Sequence, residues 1–282
     1  IEKGINLIVT HHPIWFMPRK KLNGEDYVSR IIIQAIKNDI ALYACHTNLD
    51  NVQSGVNEMI GRKLGVEKMR ILSPKKNLLV KLVAYVGTEG LEEMAAAVKT
   101  AGCRDLQVQI GEGEARLEMV LPAYAKGNVL GAIRSLQPGG PTTQHSVVVQ
   151  DKLNVVGSGM IGNLPEAMGK MEFLAHVKAK FGCGGIRFAD APLKKIKKIA
   201  WCGGAGSFLT KAAMRAGASA FVTGDITYHK FFDSEDKMLL LDIGHFESEQ
   251  FTSELIYTHL SKTFSNFAIR LSEIRTNPVK YY

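Results

Sequence analysis

The chain reads as an α/β protein with mostly parallel sheets and flanking helices, interrupted by a small inserted α+β module of ferredoxin-like type. Two repeated patterns predict this class. Residues 6–9, 28–37 and 40–44 give a short apolar strand, a helix with an apolar stripe and a second strand, and residues 199–202, 208–216 and 220–223 repeat the unit. Between them the pattern changes to a strand–helix–strand series that resembles βαββαβ.

The first strand, Asn6-Leu7-Ile8-Val9, is apolar and partly β-branched, the signature of a buried strand, and Pro13 cannot continue a ladder. His11 and His12 therefore stand at a strand end, the edge where open α/β sheets bind ligands. Successive side chains there point in opposite directions, so one ion chelated by both imidazoles is disfavoured; two ions, or one ion and one supporting role, fit better. The second strand, 40–44, runs into Cys45-His46-Thr47-Asn48-Leu49-Asp50, which parallel connectivity carries to the same edge. Residues 55–64 form an amphipathic helix ending at Gly65.

Ser73-Pro74-Lys75-Lys76-Asn77 is turn chemistry and a boundary. Beyond it, strands are expected at 78–86, 115–121 and 146–150 and helices at 91–100 and 126–136. This module has no clustered His, Asp or Glu, so structural support or oligomer contact is its expected role. The first domain resumes at Gly162-Asn163-Leu164-Pro165-Glu166-Ala167. It continues with helix 172–180, the glycine-rich turn Gly203-Gly204-Ala205-Gly206-Ser207, a helix including 229–237 and the strand 238–243 entering Gly244-His245. Helix 249–263 and a last strand, 267–271, close it. The expected organisation is a discontinuous α/β domain, 1–74 and 151–282, with the insert at 75–150. Ile1-Glu2-Lys3-Gly4 resembles a glycine-capped helix end, so part of the fold is expected upstream.

The 282 residues suffice for two domains and a substantial core. No run reaches the roughly 18 uninterrupted apolar residues of a membrane span, and Glu2, Lys3 and Asn6 interrupt any signal-peptide profile. Cys45, Cys103, Cys183 and Cys202 are scattered without CxxC spacing and read as free thiols, which points to a cytoplasmic setting. The formal charge of +8 lies in short clusters such as 19–21 and 194–198. Attraction to anionic ligands is the milder inference, and nucleic-acid binding is not favoured.

Three strand ends carry candidate metal ligands: His11 and His12, then His46 and Asp50, then His245 and Glu249. The last two pairs have i,i+4 spacing, which on a helix places both side chains on one face. Imidazole with carboxylate and no thiolate suits Zn, Fe, Mn or Co in a site that retains water. The turn Gly203–Ser207 opens a helix, so the amides of Gly204, Gly206 and Ser207 could cradle an anion, although taken by itself a tight strand-to-helix turn accounts for it better. Asp225, Tyr228 and His229 follow another strand end, with core, capping, supporting and acid–base roles all open. Cys45 and Cys202 read as small buried hydrophobes.

Val9-Thr10-His11-His12-Pro13, His46-Thr47-Asn48-Leu49-Asp50, the Gly203–Ser207 turn, Gly224-Asp225-Ile226-Thr227-Tyr228-His229, Gly244-His245-Phe246-Glu247-Ser248-Glu249 and Thr276-Asn277-Pro278 together resemble one family. It is the NIF-three-like family of dinuclear-metal-centre proteins, often labelled GTP cyclohydrolase 1 type 2 homologs. The resemblance implies that His11, His12, Asp50, His245 and Glu249 ligate two divalent ions, with His46 and His229 lining the cavity. It also implies a toroidal homohexamer and, in some members, a PII-like insertion, here abbreviated between Cys103 and Ala115. The expected function is metal-dependent hydrolysis of a nucleotide or related phosphorylated heterocycle. His46 or His229 would shuttle protons, and the glycine turn would hold the anionic group. The alternative is a non-catalytic hexameric scaffold, regulator or metal handler.

Overall fold

The computed structural model describes residues 1–149 and 152–282. The chain divides into two compact units, Ile1–Ser73 with Val155–Tyr282, and Pro74–Asn154. The expected domain limits at 150 and 151, and the end of the expected strand 146–150, fall on Gln150 and Asp151, outside the described residues.

The first segment contains β1 (Leu7–Thr10), α1 (Tyr27–Lys37), β2 (Ala41–Ala44), α2 (Thr47–Asp50), α3 (Val56–Leu64) and β3 (Glu67–Lys76). Asp26 caps α1 by accepting from the Ser29 N–H, and Gly65 ends α3 at φ +73°, the left-handed conformation that favours glycine. β3 runs through Ser73-Pro74-Lys75-Lys76, so these residues are strand and not the expected turn.

The second unit holds β4 (Leu79–Val86), α4 (Leu91–Thr100), β5 (Asp105–Ile110), β6 (Ala115–Pro122), α5 (Lys126–Leu136) and β7 (Thr143–Val149). Its sheet has the order β5-β6-β4-β7, with every pair antiparallel. Alternate residues Leu82, Ala84 and Val86 of β4 and Leu117, Met119 and Leu121 of β6 pack with Met94 and Val98 of α4 and Val129 and Ile133 of α5. β5 occupies the stretch that reads as abbreviated. It is an edge strand, largely exposed: Leu106, Val108 and Ile110 alternate with polar residues, the pattern of a half-buried strand that sequence reasoning passes over here, yet Val108 and Ile110 stay exposed.

The chain returns as β8 (Lys152–Gly169), α6 (Lys170–Phe181), β9 (Arg187–Ala189), β10 (Lys195–Ala205), α7 (Thr210–Arg215), β11 (Ala220–Gly224), β12 (Leu239–Asp242), α8 (His245–Glu249) and α9 (Thr252–Thr263). Single 3₁₀ segments precede α7 (Ser207–Leu209) and β12 (Tyr228–Ser234). The six-stranded sheet has the order β3-β8-β10-β11-β12-β9. β10, β11 and β12 pair in parallel; β8 joins β10 and β9 joins β12 antiparallel.

The six-stranded sheet is thus mixed, where a mostly parallel one is expected. β8 is hidden in sequence by Pro165, which has no N–H for a ladder. Here the β8–β10 register shifts between Ile196 and Lys198, and the Lys197 ammonium donates to the Pro165 carbonyl at 2.5 Å. β1 is exposed rather than buried: it pairs only with β2, in a separate two-stranded parallel sheet, while β8 and β9 fill both flanks of the parallel trio. The three candidate strand ends therefore belong to two sheets, not one. The expected strand 267–271 is irregular backbone with Phe267 and Leu271 exposed. The expected helix 229–237 is a 3₁₀ segment ended by Glu235 at φ +49°, and the expected helix 249–263 is broken at Gln250 and Phe251.

Both faces of the six-stranded sheet are covered. Ile199 and Trp201 of β10, Val222, Leu239 and Leu241 pack with Val56, Ile60 and Leu64 of α3 and Phe173, Val177 and Phe181 of α6. The alternating residues Ala200, Phe221 and Leu240 face Leu209 and Ala213. β11 and β12 are buried along their whole length, and the polar residues gather in the turns that follow them.

Candidate metal centre

The centre is built upward from α8. Gly244, at φ +94°, turns the chain out of β12, and a Cβ there would overlap the Glu247 carboxylate. One helical turn then aligns His245 with Glu249, whose His245 Nε2 to Glu249 Oε2 distance is 3.1 Å. Asp225, itself at φ +53°, brings Oδ2 to 2.6 Å from His245 Nδ1. A carboxylate only accepts here, so Nδ1 carries a proton and Nε2 is the ring atom turned toward Glu249.

β1 delivers the two histidines from the opposite side. His11 Nδ1 donates to the Cys45 carbonyl at 2.7 Å, which aims Nε2 at Asp50 Oδ1 and Glu249 Oε2, each 3.5 Å away. His12 Nε2 lies 3.2 Å from both Glu249 Oε2 and His245 Nε2. Two donor triads result, His11–Asp50–Glu249 and His12–His245–Glu249, and both use Glu249. Opposed strand directions thus lead the two imidazoles to different triads.

His46 caps α2. Its ring centroid lies 5.4 Å from that of His11 and 5.2 Å from that of His12, and it forms a third donor group with them. The structure does not bring His229 into these groups: it is exposed on the 3₁₀ segment with its ring edge-on to Tyr228.

The electrostatics of the cluster follow from proximity. Burial opposes ionisation of Glu249, yet His11, His12 and His245 outweigh it and hold the carboxyl well below the usual carboxylate range. Glu249 and then Asp225, against burial, raise His245 to about 9. Burial works against a charged His11, but Glu249, Asp50 and the Cys45 carbonyl prevail and raise its pKa above 6.5. Burial lifts Asp50 to about 6, while burial and the neighbouring histidines His11 and His12 lower His46.

Three buried atoms, His11 Nε2, Asp50 Oδ1 and Glu249 Oε2, have no hydrogen-bond partner. Orphaned acceptors facing one another are costly unless a cation lies among them, and their N/O character suits a divalent ion with no thiolate ligand. The residues present therefore fit the two ions that the resemblance implies.

Sequence reasoning misses Asn57, which fastens the centre from behind. Its Nδ2 donates to the Asp50 carbonyl at 3.0 Å, its Oδ1 accepts from the Gly203 N–H at 3.0 Å, and its own carbonyl accepts from Trp201 Nε1 at 2.6 Å. A polar residue within the buried stripe Val56, Asn57, Ile60 and Leu64 of α3 is the signal that could have found it. The glycine turn serves the centre differently from the expected anion cradle. The Gly204 N–H donates to Ser248 Oγ and the Gly206 N–H to Thr223 Oγ1, each at 2.9 Å, so both amides are committed within the protein. A Cβ on Gly204 would stand 2.5 Å from Glu249 Oε1; the glycine makes room for the shared carboxylate.

Comparison with known proteins adds to this geometry. Residues 1–278 match the family model described as Duf34/NIF3 (NGG1p interacting factor 3). A Bacillus subtilis (strain 168) protein named GTP cyclohydrolase 1 type 2 homolog is 30% identical over 319 residues, with 100% of this chain and 84% of that protein covered. The crystal structure of a Bacillus cereus protein related to NIF3 superposes with a TM-score of 0.84 at 28% identity, covering 100% of this chain and 84% of that one. Staphylococcus aureus protein SA1388 superposes with a TM-score of 0.78 at 28% identity, with 100% and 83% covered.

Proposed function

The chain belongs to the DUF34/NIF3 family, and from that premise we propose that it is a dinuclear metal-dependent hydrolase acting on a nucleotide or a related phosphorylated heterocycle. His11, Asp50 and Glu249 would hold one divalent ion, Zn, Fe, Mn or Co, and His12, His245 and Glu249 the other. The observation that carries this reading is the set of three buried, partnerless atoms converging from β1, α2 and α8. Bound there, the ions would supply Lewis acidity and lower the pKa of water. The chain does the rest. Asp225 and the Cys45 carbonyl fix the tautomers of His245 and His11, and Glu249 stays ionised between the triads. His46, with its lowered pKa and its ring beside both histidines, would accept the proton released in the reaction. His229 stands apart and takes no part in this proposal.

The substrate class is supported by the name of the Bacillus subtilis relative and by the net positive charge. The test is metal analysis of the purified protein followed by turnover on a panel of nucleotides and phosphoesters. Two ions per chain and turnover abolished by a chelator are expected. A fully metal-loaded protein without turnover would leave the non-catalytic reading, a metal-binding scaffold, regulator or metal handler. We further propose a homohexamer, with the antiparallel β4–β7 unit as a ferredoxin-like, PII-like insert. Exposed Leu7, Ile8, Leu42 and Tyr43 on the two-stranded sheet support an assembly, which sedimentation would reveal.

A further inference from the structure

A cleft of about 690 Å³ opens beside the second triad, lined by His12 and His245, by Phe246 of α8 and Arg187 of β9, and by Pro278 and Tyr281 of the C-terminal segment. The volume is that of a small-molecule site, and the walls are mainly apolar with a few convergent polar groups.

The polar groups can be accounted for one by one. Asp225 is taken by His245. Asp242 accepts from the Ile226 N–H at 2.9 Å, the Gly244 N–H at 3.0 Å and Arg187. Glu247 accepts from Asn277 Nδ2 at 2.9 Å. Each carboxylate thus already serves a protein donor. Arg187 is different: its side chain is 66% exposed, and only Nη2 donates, to Asp242 and to the Ile226 carbonyl at 3.0 Å. Its guanidinium also lies 5.5 Å over the Phe231 ring. These contacts fix the fork while leaving other N–H groups free, a preorganised anion receptor. Asp242 offsets part of its charge, so recognition would come from fork geometry more than from net field.

We propose that this cleft seats the substrate, and that Arg187 holds the phosphate of a small heteroaromatic ligand whose ring lies against the apolar lining at Ile186, Pro278 and Tyr281. The inference rests on the hydrolase reading above and moves the anion-binding role from the glycine turn to Arg187.

The test uses the metal-loaded full chain and two probes that differ by a phosphate, guanosine 5′-monophosphate and guanosine, titrated calorimetrically. Wild type should prefer the nucleotide. Arg187→Gln should weaken the nucleotide about 10- to 100-fold, the worth of a charged hydrogen bond, and leave guanosine and metal content unchanged. Should Arg187→Gln fold poorly through loss of the Asp242 pair, Arg187→Lys keeps the charge, loses the fork and should give an intermediate loss. A phosphate preference that persists in both variants overturns the Arg187 assignment alone. A wild type that loads metal but neither binds nor turns over any nucleotide overturns this inference and the functional reading together.

Discussion

Replacing Asn57 with alanine is the sharpest test of how the centre is held. Asn57 is 2% exposed and spans two segments: its side-chain amide donates to the Asp50 carbonyl and accepts from the Gly203 N–H, each at 3.0 Å. Asn57→Ala strands a part-buried carbonyl and a part-buried N–H, each costing about 1–3 kcal/mol when fully cut off from water, so a loss of about 2–6 kcal/mol is the ceiling before water relieves it. That is a large share of the roughly 5–15 kcal/mol by which a domain is stable. Urea unfolding of the metal-free protein, at constant m-value, measures it. Asn57→Asp separates polar pairing from packing. An ionised carboxylate would still accept from Gly203 but would repel the Asp50 carbonyl, whereas the protonated form could donate to it. The folded-state pKa of the introduced carboxyl is therefore raised, and the variant should lose stability relative to wild type as pH rises through and above the ordinary carboxylate range. A loss below about 0.5 kcal/mol for Asn57→Ala, the size of a neutral surface change, would refute the reasoning.

The shared carboxylate leads to Glu249→Gln losing both ions in metal analysis, while His11→Ala and His12→Ala each lower occupancy mainly at one triad; loss of one common ion in both histidine variants would contradict two sites. In the metal-free protein His245 is raised from 6.5 to about 9, so its contribution to stability is complete below 6.5 and lost as pH climbs through 9. Metal must displace that proton, so apparent affinity at the second triad should rise about tenfold per pH unit between those values and level off above 9, with proton release visible by calorimetry in two buffers. Gly204→Ala combines a φ of +61° with a Cβ 2.5 Å from Glu249 Oε1; it should lower both thermal stability and metal content, whereas a fully loaded variant would show that the turn is not fitted to Glu249.

The parts of the molecule legible in the sequence are those set by local rules. Strand–helix periodicity located α1, α3 and the β10–β11 unit, and Gly65 marked the end of α3. The candidates His11, His12, His46, Asp50, His245 and Glu249 could be picked because residue chemistry and i,i+4 spacing travel with the chain, while the narrowing to five ligands without His46 came from the family resemblance. What pairs with what did not travel. β8 passes through a proline-bearing bulge, β9 is three residues long, and neither announces that it will flank the parallel trio in antiparallel sense. Arg187 and Asn57 act through partners 55 and 146 residues away, separations over which a sequence carries no spacing rule. The glycine turn misled for the same reason: whether its amides are free depends on Ser248 and Thr223, which only the fold brings up to it.

The indole of Trp201 has a practical consequence. It is completely buried, and its N–H is bound to the carbonyl of the residue that secures Asp50. The chain's other tryptophan, Trp15, is half-exposed on the loop that leaves His12. Intrinsic fluorescence therefore offers two built-in optical reporters, one packed against Asn57 and one on the loop that leaves His12. One emits blue-shifted light shielded from iodide, the other red-shifted light open to quenching. A change confined to the shielded component on adding a divalent ion would register rearrangement around Asn57, and a change in the quenchable component would register rearrangement of the loop after His12, with no label attached.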